Sequence, residues 1–524
     1  MANLRCAFFT PLMIWTKSQI KNLIPVTILI LAGIFFAFLR LGDVKIDQTL
    51  WAEDGLIFSS QAREFGLSSF TIPHAGFLHF YQRLFAWISS FFDLQLTPLI
   101  FLGGWFLSYI AMICVIANRA QRLSSNFWEV YLIVAVIALQ PSNGELFFTL
   151  TNSHTFIGVA LCIYLATARD QKKFSISKSV IIFVASLTGP FAAMLMPFLL
   201  LKSLILKEFK NKKFTYFPAI LGASIQIIFL LYSDRLFVEV GSKDLEKHFD
   251  PNLNHWIAEF LTFAFFGSES AFVKFFAITF WIMSIGGLAL LVKRFFAEKK
   301  FQPNEAEAVI LLIFSLTLYG LILFDFRSHP EIINPIGICG RYFFAPYALL
   351  FFAIWVLLLK QRRLKILFFV SLFVIDSMSL MMIQREELQF QAYAEFAKHH
   401  NNVLIKINPN WPNDRWSFSL PYDVNKEAAD QKFIDLLALR KNSEIFDVKN
   451  QCEDAKYFGI EIEPKEISED VMRIFWSADE IFSEGKSLSR ILTKKVYFAF
   501  AAEKVNYLQI HNLNNPKSAK LFCL

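Results

Sequence analysis

Charged residues are scarce in this chain, and glycine is scarce with them. Only 18% of the 524 residues are charged and 20 are glycine, whereas 55% are hydrophobic and 61 are phenylalanine. About a quarter of the residues of a soluble domain are charged, so this composition excludes an ordinary soluble protein. The apolar residues form runs of roughly 17–22, the length that a helix needs to cross a bilayer. The sequence therefore predicts a polytopic α-helical membrane protein.

Cysteine is also rare, and its spacing excludes the common metal and redox motifs. The six cysteines form no C-x-x-C pair and no Cys/His zinc pattern. Cys6, Cys114 and Cys162 lie in or beside apolar runs, where we expect them to be packing residues. Cys452 and Cys523 lie in the polar tail, and their pairing depends on whether that tail faces an oxidising compartment.

The net charge of +7 does not indicate nucleic acid as a partner, because the basic residues lie between the apolar runs. Lysine and arginine cluster at 17–21, 119–122, 169–178, 202–213, 293–300 and 360–365. With the first run crossing outwards, every cluster becomes cytoplasmic, as the positive-inside rule requires. That run ends in "FLRLGD" rather than a cleavage site, so we expect it to be retained as a span.

The runs and loop charges together predict about eleven spans, with a cytoplasmic N-terminus and an external C-terminus. The predicted spans are 22–39, 97–117, 127–140, 155–168, 179–188, 191–201, 214–232, 273–292, 307–324, 342–359 and 364–382. Residues 1–382 are thus a membrane domain with a long first external loop at 41–95. Residues 383–524 are an extracytoplasmic domain, in which a helix precedes alternating segments typical of a small β-sandwich.

Two apolar segments have patterns that differ from those of ordinary transmembrane spans. Gly76–Phe92 carries Phe77, Phe80, Leu84 and Trp87 on one helical stripe, and a span here would invert every later basic cluster. We expect a helix lying in the membrane interface. At Gly189-Pro190 an apolar run with lysines on both flanks is interrupted; the chain either turns back there or continues as one kinked helix.

Acidic residues follow the first span, where hydrocarbon makes carboxylates costly. Asp43, Asp47, Glu53 and Asp54 lie within "LGDVKIDQTLWAEDGLIF". Trp51, Gly55 and Phe58 recur at helical spacing, so a second interfacial helix is predicted to begin here. Glu53 and Asp54 either favour the positive end of this helix dipole or serve a function. Asp43 and Asp47 precede the helix, and we expect them to solvate the loop.

Five motifs in order resemble the GT-C superfamily, membrane glycosyltransferases that use polyprenyl-phosphate sugars. The likeness is closer to one bacterial branch of poorly characterised proteins. That branch has an N-L-T-N-x-H element, whose first position is Thr149 in this chain. It also has a Tyr-Ala-Gly turn, where this chain has "HAG". The motifs are W-A-E-D-G at Trp51–Gly55, "GFLHFYQRL" at Gly76–Leu84, "TLTNSH" at Thr149–His154, T-G-P-F at Thr188–Phe191 and G-R-Y-F-F at Gly340–Phe344.

The resemblance implies an inverting glycosyltransferase that moves a sugar from a polyprenyl-phosphate carrier to an envelope glycan or glycolipid. The reaction would take place on the outer side of the bacterial cytoplasmic membrane. A carboxylate suits the role of catalytic base, since partial desolvation raises its pKa towards the working pH. Asp54 is the first candidate and Glu53 the second, and the resemblance matches the pair without separating them. A glycan polymerase and a lipid-linked glycan flippase or transporter are the alternatives, although the chain shows no repeated halves.

Cationic and polar residues at the span ends are the candidates for substrate binding. Arg341 would clamp the phosphate, with an ordinary snorkelling arginine as the alternative. Arg83 and His79 would face the same phosphate. Tyr342 is either a sugar contact or an aromatic-belt residue, and Asn152 and His154 either bind sugar or cap a helix. No cofactor is required, although some GT-C enzymes use a divalent cation, for which Glu53, Asp54 and His79 could supply ligands.

The tail contains aromatic residues that suit either sugar stacking or core packing. They are Trp411, Trp416, Trp476, Tyr497 and Tyr507. Core packing is the commoner use of such residues in a β-domain.

Overall fold

The computed structural model describes most of the membrane region and most of the tail. The described residues are 17–42, 44–46, 49–140, 145–168, 174–233, 303–325, 340–378, 380, 382–400, 403–409, 416–419, 433–441, 444–452, 455–465, 471–483, 486–491, 495–513 and 516–524. The predicted span at 273–292, the carboxylates Asp43 and Asp47, and Trp411 lie outside these residues.

Helices form at the apolar runs, within a few residues of the predicted bounds. In chain order they are α1 Lys17–Phe38, α2 Ser60–Phe65, α3 Phe80–Ser89, α4 Thr97–Leu123, α5 Phe127–Leu139, α6 Ser153–Ala166, α7 Ile176–Ser186, α8 Phe191–Leu206, α9 Phe209–Tyr232, α10 Pro303–Asp325, α11 Phe344–Leu357, α12 Arg362–Met378 and α13 Phe390–His399. A π-helical turn at Asp54–Ser59 leads into α2.

The described helices have the length and burial of a membrane bundle. Four helical segments are long and apolar enough to cross a bilayer: Leu94–Leu123, Phe209–Tyr232, Pro303–Ile322 and Gly340–Leu357. Shorter apolar helices accompany them. Helix α11 is buried on all sides, as expected for an apolar helix at the centre of a bundle, whereas α9 exposes Phe217 and Leu231. The described part of the chain therefore has the helical character of a membrane protein.

The chain reverses at Gly189-Pro190. Gly189 lies against His154 at the start of α6, and a Cβ at this glycine would lie 3.3 Å from the His154 Cβ. At the other end of α8, the Lys202 amine donates to the Ala166 carbonyl at the end of α6, at 2.7 Å. Helix α8 thus runs beside α6 in the same direction and α7 runs in the opposite one. Of the two options left open by the sequence, the structure has the hairpin.

Helix α3 has its polar side turned towards the protein. Gln82, Arg83 and Ser89 are buried, while the predicted apolar stripe is half-buried and continues into the exposed Phe91 and Phe92. A helix resting on a bilayer needs this inverted pattern, because its apolar side faces lipid. The arrangement agrees with the predicted interfacial helix.

The tail contains two four-stranded antiparallel sheets, one in the order β3-β10-β5-β8 and the other β4-β9-β6-β7. Their strands are β3 Phe433–Asp435, β4 Ile445–Asp447, β5 Tyr457–Glu463, β6 Val471–Ser477, β7 Ser487–Ile491, β8 Val496–Ala501, β9 Tyr507–His511 and β10 Ser518–Cys523. A short hairpin, β1 Ile405–Lys406 with β2 Ser417–Phe418, precedes them. The sheets share a core that includes Phe458, Ile474 and Leu508, so the predicted C-terminal β region is confirmed.

A disulfide joins Cys452 to Cys523, at a Cα–Cα distance of 5.4 Å. Cys162 is buried in the bundle, in the packing position expected of it. Trp476 and Tyr497 are buried, and Trp476 stacks on Phe500 with ring centroids 4.2 Å apart. Trp476 serves the sandwich core, whereas Tyr497 packs in a separate core with Leu50 and Phe58 of the first loop. Trp416 and Tyr507 are half-buried.

The tail and the membrane region share a second hydrophobic core. Leu50, Phe58 and Leu150 pack there with Tyr393 and Phe418. The glycine at position 55 allows this approach, because a Cβ there would lie 2.7 Å from Ile407 Cδ1. The W-A-E-D-G element is therefore enclosed between the helices and the tail.

Candidate functional site

Asp54 ties the first loop to the segment that precedes α6. One carboxylate oxygen accepts hydrogen bonds from the backbone N–H and the hydroxyl of Thr151, both at 2.6 Å. The other accepts from the Leu150 N–H at 3.2 Å. The side chain is only 2% exposed. Its oxygens are therefore occupied by donors from the protein itself.

Burial raises the pKa of Asp54 to about 7. The hydrogen bonds from Thr151 oppose this shift, the neighbouring Glu53 adds to it, and Arg385 reduces it. Desolvation prevails because a carboxylate loses its hydration shell when it is enclosed. Asp54 therefore takes up a proton at a much higher pH than an exposed aspartate does.

Glu53 points to a different set of neighbours from Asp54. Its Oε1 lies 3.9 Å from the nearer guanidinium nitrogen of Arg341, whose other terminal nitrogen lies 3.8 Å from a carboxylate oxygen of Glu145. Both distances exceed those of direct hydrogen bonds. The buried Oε2 of Glu53 has no hydrogen-bond partner within the part of the chain that the structure describes. The Glu53 carboxylate is therefore less fully hydrogen-bonded than that of Asp54.

Three histidines lie beside these groups. The ring centroids of His79 and His154 are 5.3 Å apart, and those of His74 and His79 are 5.7 Å apart. His154 donates its Nδ1 proton to the Thr151 carbonyl at 2.7 Å, and both Glu53 and Arg341 lie within electrostatic range of its ring. The cluster thus extends from Arg341 through His154 to His79.

His79 is held in its neutral form. Burial lowers the pKa of this imidazole well below its usual range, and His154, His74 and Arg83 lower it further. One ring nitrogen lies 3.2 Å from the His74 carbonyl oxygen, whereas Nδ1 has no partner among the described residues.

Arg83 is a buried cation without a carboxylate partner among the described residues. It is 1% exposed, donates one hydrogen bond to the Gln61 side chain at 2.9 Å and lies over the Phe58 ring. Its Nε and Nη2 atoms have no hydrogen-bond partner in the described ranges. Burying an uncompensated charge is costly, so such a group is typical of a site for an anion.

The turn at Gly189 positions the histidines. Gly189 has a φ of 85°, a backbone conformation that glycine adopts readily, and its N–H donates to the Leu78 carbonyl at 3.0 Å. Thr188 pairs with His79 as an isolated β-bridge. The Gln226 side chain, on α9, forms hydrogen bonds with the Leu78 backbone N–H and carbonyl and with the Gly189 carbonyl. The T-G-P-F and G-F-L-H elements therefore meet directly, with His154 against their turn.

Residues of the tail contact the W-A-E-D-G segment and the segment that precedes α6. Asn408 forms a parallel bridge with Trp51, its N–H donates to the Leu50 carbonyl at 3.1 Å, and its carbonyl accepts from the Ala52 N–H. Arg385 donates to the Phe147 carbonyl at 2.7 Å and lies over the Trp51 ring. Sequence reasoning missed both residues, because neither belongs to a motif and each acts through a distant partner.

Most of the predicted site residues come together in this cluster, namely Glu53, Asp54, His79, Arg83, His154 and Arg341. Tyr342 accompanies them, with its hydroxyl 3.3 Å from Arg341 and its ring under the guanidinium. The Asn152 amide donates to the Glu145 carbonyl at 2.6 Å and to the Thr149 hydroxyl at 3.0 Å. Asn152 therefore shapes the turn before α6.

Within the described residues, no three His, Cys, Asp or Glu side chains are placed to hold a metal ion together. Glu53, Asp54 and His79, the ligands considered from the sequence, point to different partners. Guanidinium groups can bind a phosphate, and carboxylate and imidazole groups can move a proton, so the arrangement has the side chains for both tasks. Protein-family models, curated proteins and solved structures were all compared with this chain, and none of them matches it.

Proposed function

We propose that this protein is an inverting glycosyltransferase of the GT-C type, which moves a sugar from a polyprenyl-phosphate carrier to an envelope glycan or glycolipid. The observation that carries the proposal is the unpartnered oxygen of Glu53, which lies in one buried cluster with Arg341, His79 and Arg83. Acid–base chemistry beside an anionic leaving group needs this combination of groups.

Glu53 is the better candidate for the base on geometric grounds, although Asp54 is the first candidate from the sequence, where the motif does not separate the two residues. The Asp54 oxygens already accept three hydrogen bonds, whereas Glu53 Oε2 is available. In the proposed step, Glu53 takes the proton of the acceptor hydroxyl. The hydroxyl oxygen attacks the anomeric carbon, and the bond from that carbon to the phosphate oxygen breaks with its electron pair on the phosphate. A single displacement inverts the anomeric centre.

The phosphate that leaves carries negative charge, and two arginines would neutralise it. Arg341 offers a guanidinium fork beside Glu53, and Arg83 offers its two unpartnered nitrogens. A neutral His79, whose Nε2–H faces the His74 carbonyl, adds a hydrogen-bond acceptor at Nδ1 without adding charge. Glu145 keeps Arg341 oriented from the opposite side of its guanidinium.

Asp54 serves in this proposal as a positioning residue. By binding Thr151 and Leu150 it holds the π-helical turn at Asp54–Ser59 against the segment that carries Glu145 and His154. The positive charge of Arg385 and its hydrogen bonds to the Phe147 and Phe148 carbonyls support the same junction.

A lipid-linked donor suits the position of the site. The loop that carries the acidic pair also carries exposed apolar residues, among them Phe65, Leu67 and Phe91. Such residues at the membrane surface allow a polyprenyl chain to remain in lipid while its phosphate reaches the arginines. The Cys452–Cys523 disulfide and the lysine-rich clusters support an extracytoplasmic tail at the cytoplasmic membrane.

Mass spectrometry of envelope glycans tests the proposal in cells with the wild-type protein, without it, and with Glu53→Gln. We expect one sugar to disappear in the last two strains while the lipid-linked donor accumulates. A glycan polymerase would instead leave single repeat units unjoined, and a flippase would leave the donor on the cytoplasmic side. Unchanged glycans in the strain that lacks the protein would overturn the proposal.

A further inference from the structure

A buried cation also lies in the tail, on the edge strand β7. Arg490 is 5% exposed, and its guanidinium lies over the Tyr393 ring of α13 at 4.8 Å. It donates one hydrogen bond, from Nη1 to the Ser489 carbonyl at 3.1 Å. Its Nε and Nη2 atoms have no hydrogen-bond partner in the described part of the chain. These two nitrogens form the edge of a guanidinium that binds an oxyanion with two parallel hydrogen bonds.

A lysine adds positive charge at the same point. Lys406 of β1 is 8% exposed, and its amine donates to the same Ser489 carbonyl oxygen at 3.0 Å. The two cations therefore converge on one atom and repel each other at low dielectric. Arg490 forms no ion pair within the described residues and is buried with two unpartnered nitrogens, so its surroundings favour an anion there.

We propose that Arg490, assisted by Lys406, forms an oxyanion-binding site in the tail that takes a carboxylate or a phosphate group. If the proposed function holds, the acidic sugar of an acceptor glycan is the natural carrier of that group. The site is distinct from the acidic cluster. Ile407 faces Gly55, and successive strand residues point to opposite sides, so Lys406 faces away from Glu53 and Asp54.

Thermal melting of the full-length protein in detergent tests the site without any transfer assay. Sodium phosphate and sodium glucuronate are compared with sodium chloride at equal ionic strength. We expect a saturable rise in Tm for the wild type and for Arg473→Met, a control on the adjacent strand β6, and no rise for Arg490→Met. Without added anion, Arg490→Met should melt no lower than the wild type, because it removes an uncompensated charge.

The two probes distinguish the sources of the anion. A response to glucuronate indicates a glycan carboxylate, and a response to phosphate alone indicates a phosphate group. Arg490→Lys keeps the charge but lacks the paired donors, so the concentration for a half-maximal shift should rise about tenfold. If Arg490→Met does not fold, the comparison of Arg490→Lys with the wild type provides the test. An unchanged anion response in Arg490→Lys, or no response to either probe in the wild type, would overturn the proposal. This experiment measures anion binding directly, so its result does not depend on whether the protein is a glycosyltransferase.

Discussion

The Asp54 carboxylate and Thr151 are joined by two hydrogen bonds of 2.6 Å, from the threonine backbone N–H and from its hydroxyl. The contact spans 97 residues of sequence and is buried. It places Asp54 at the junction of the first loop and α6, while the adjacent Glu53 extends towards Arg341. Two neighbouring carboxylates thus have different neighbours, and we expect different consequences when each is changed.

Asp54 makes the stability of the protein depend on pH. Burial raises its pKa from 3.8 to about 7, so the folded protein holds a proton that the unfolded chain releases in this interval. The contribution of Asp54 to the free energy of unfolding is therefore greatest below about pH 4 and falls as pH rises from about 4 to about 7. Above about pH 7 this contribution no longer changes. We expect the difference in Tm between wild type and Asp54→Asn to change over this interval only. The histidines are present in both proteins, so their effects cancel in the difference. A constant difference would contradict the burial of an ionisable Asp54.

Glu53→Gln should abolish sugar transfer and leave the fold intact. Loss of a general base typically lowers a rate by about 10²–10⁴-fold. The amide keeps the shape of the side chain, and Oε2 has no partner among the described residues that the change would disturb. Transfer is measured by glycan mass spectrometry and folding by Tm. Glu64→Gln, at an exposed position on α2, is the matched control and should retain full activity. Normal glycans in the Glu53→Gln strain would reject Glu53 as the base.

Arg341→Ala should weaken binding of the lipid-linked donor, and Arg341→Lys should restore only part of it. Lysine supplies a charge but lacks the planar fork that binds two phosphate oxygens. Retention of a labelled polyprenyl-phosphate sugar by the purified protein measures the effect. Arg440→Ala, in the tail, serves as the control. Equal retention by Arg341→Ala and the wild type would show that this arginine is an interfacial anchor.

Gly55→Ala should destabilise the contact between the tail and the membrane region. The added methyl would lie 2.7 Å from Ile407 Cδ1 and 2.9 Å from Phe418, so we expect a cost of about 1–3 kcal/mol. Trimming the neighbour in Gly55→Ala/Ile407→Val should recover part of the loss, whereas distant substitutions add independently. The Tm values of the wild type, Gly55→Ala, Ile407→Val and the double variant form a double-mutant cycle that measures this coupling. Strict additivity would show that the tail does not press against residue 55.

The disulfide between Cys452 and Cys523 tests the position of the tail in the cell. If the tail is extracytoplasmic, these two thiols should resist a maleimide reagent in denatured, unreduced cell extracts and react after reduction. A gel shift that counts the added groups measures the change. Cys452→Ser/Cys523→Ser, which removes both thiols, should show no dependence on reductant. Full reactivity of the wild type before reduction would place the tail in a reducing compartment.

Hydropathy predicted the helices well because burial in lipid is a local requirement. The ends of α5 and α10, for instance, lie within a few residues of the predicted spans 127–140 and 307–324. The turn at Gly189 was recognised as one of two options, since lysines flank both halves of the run. The polar buried side of α3 was not foreseen, because a periodic pattern defines a stripe but does not say which side of the helix meets the protein.

The sequence by itself determined that this chain is a helical membrane protein with a β-rich tail, since the length of the apolar runs and the alternation of side chains are local properties. It also marked the residues from which the candidate site is built. Only the tertiary structure decided that Asp54 is enclosed by Thr151 and Leu150 while Glu53 faces Arg341, and that Arg490 is buried beside Lys406. The physical reason is that the environment of an ionisable group depends on partners from distant parts of the chain, and adjacent residues of a helix point in different directions.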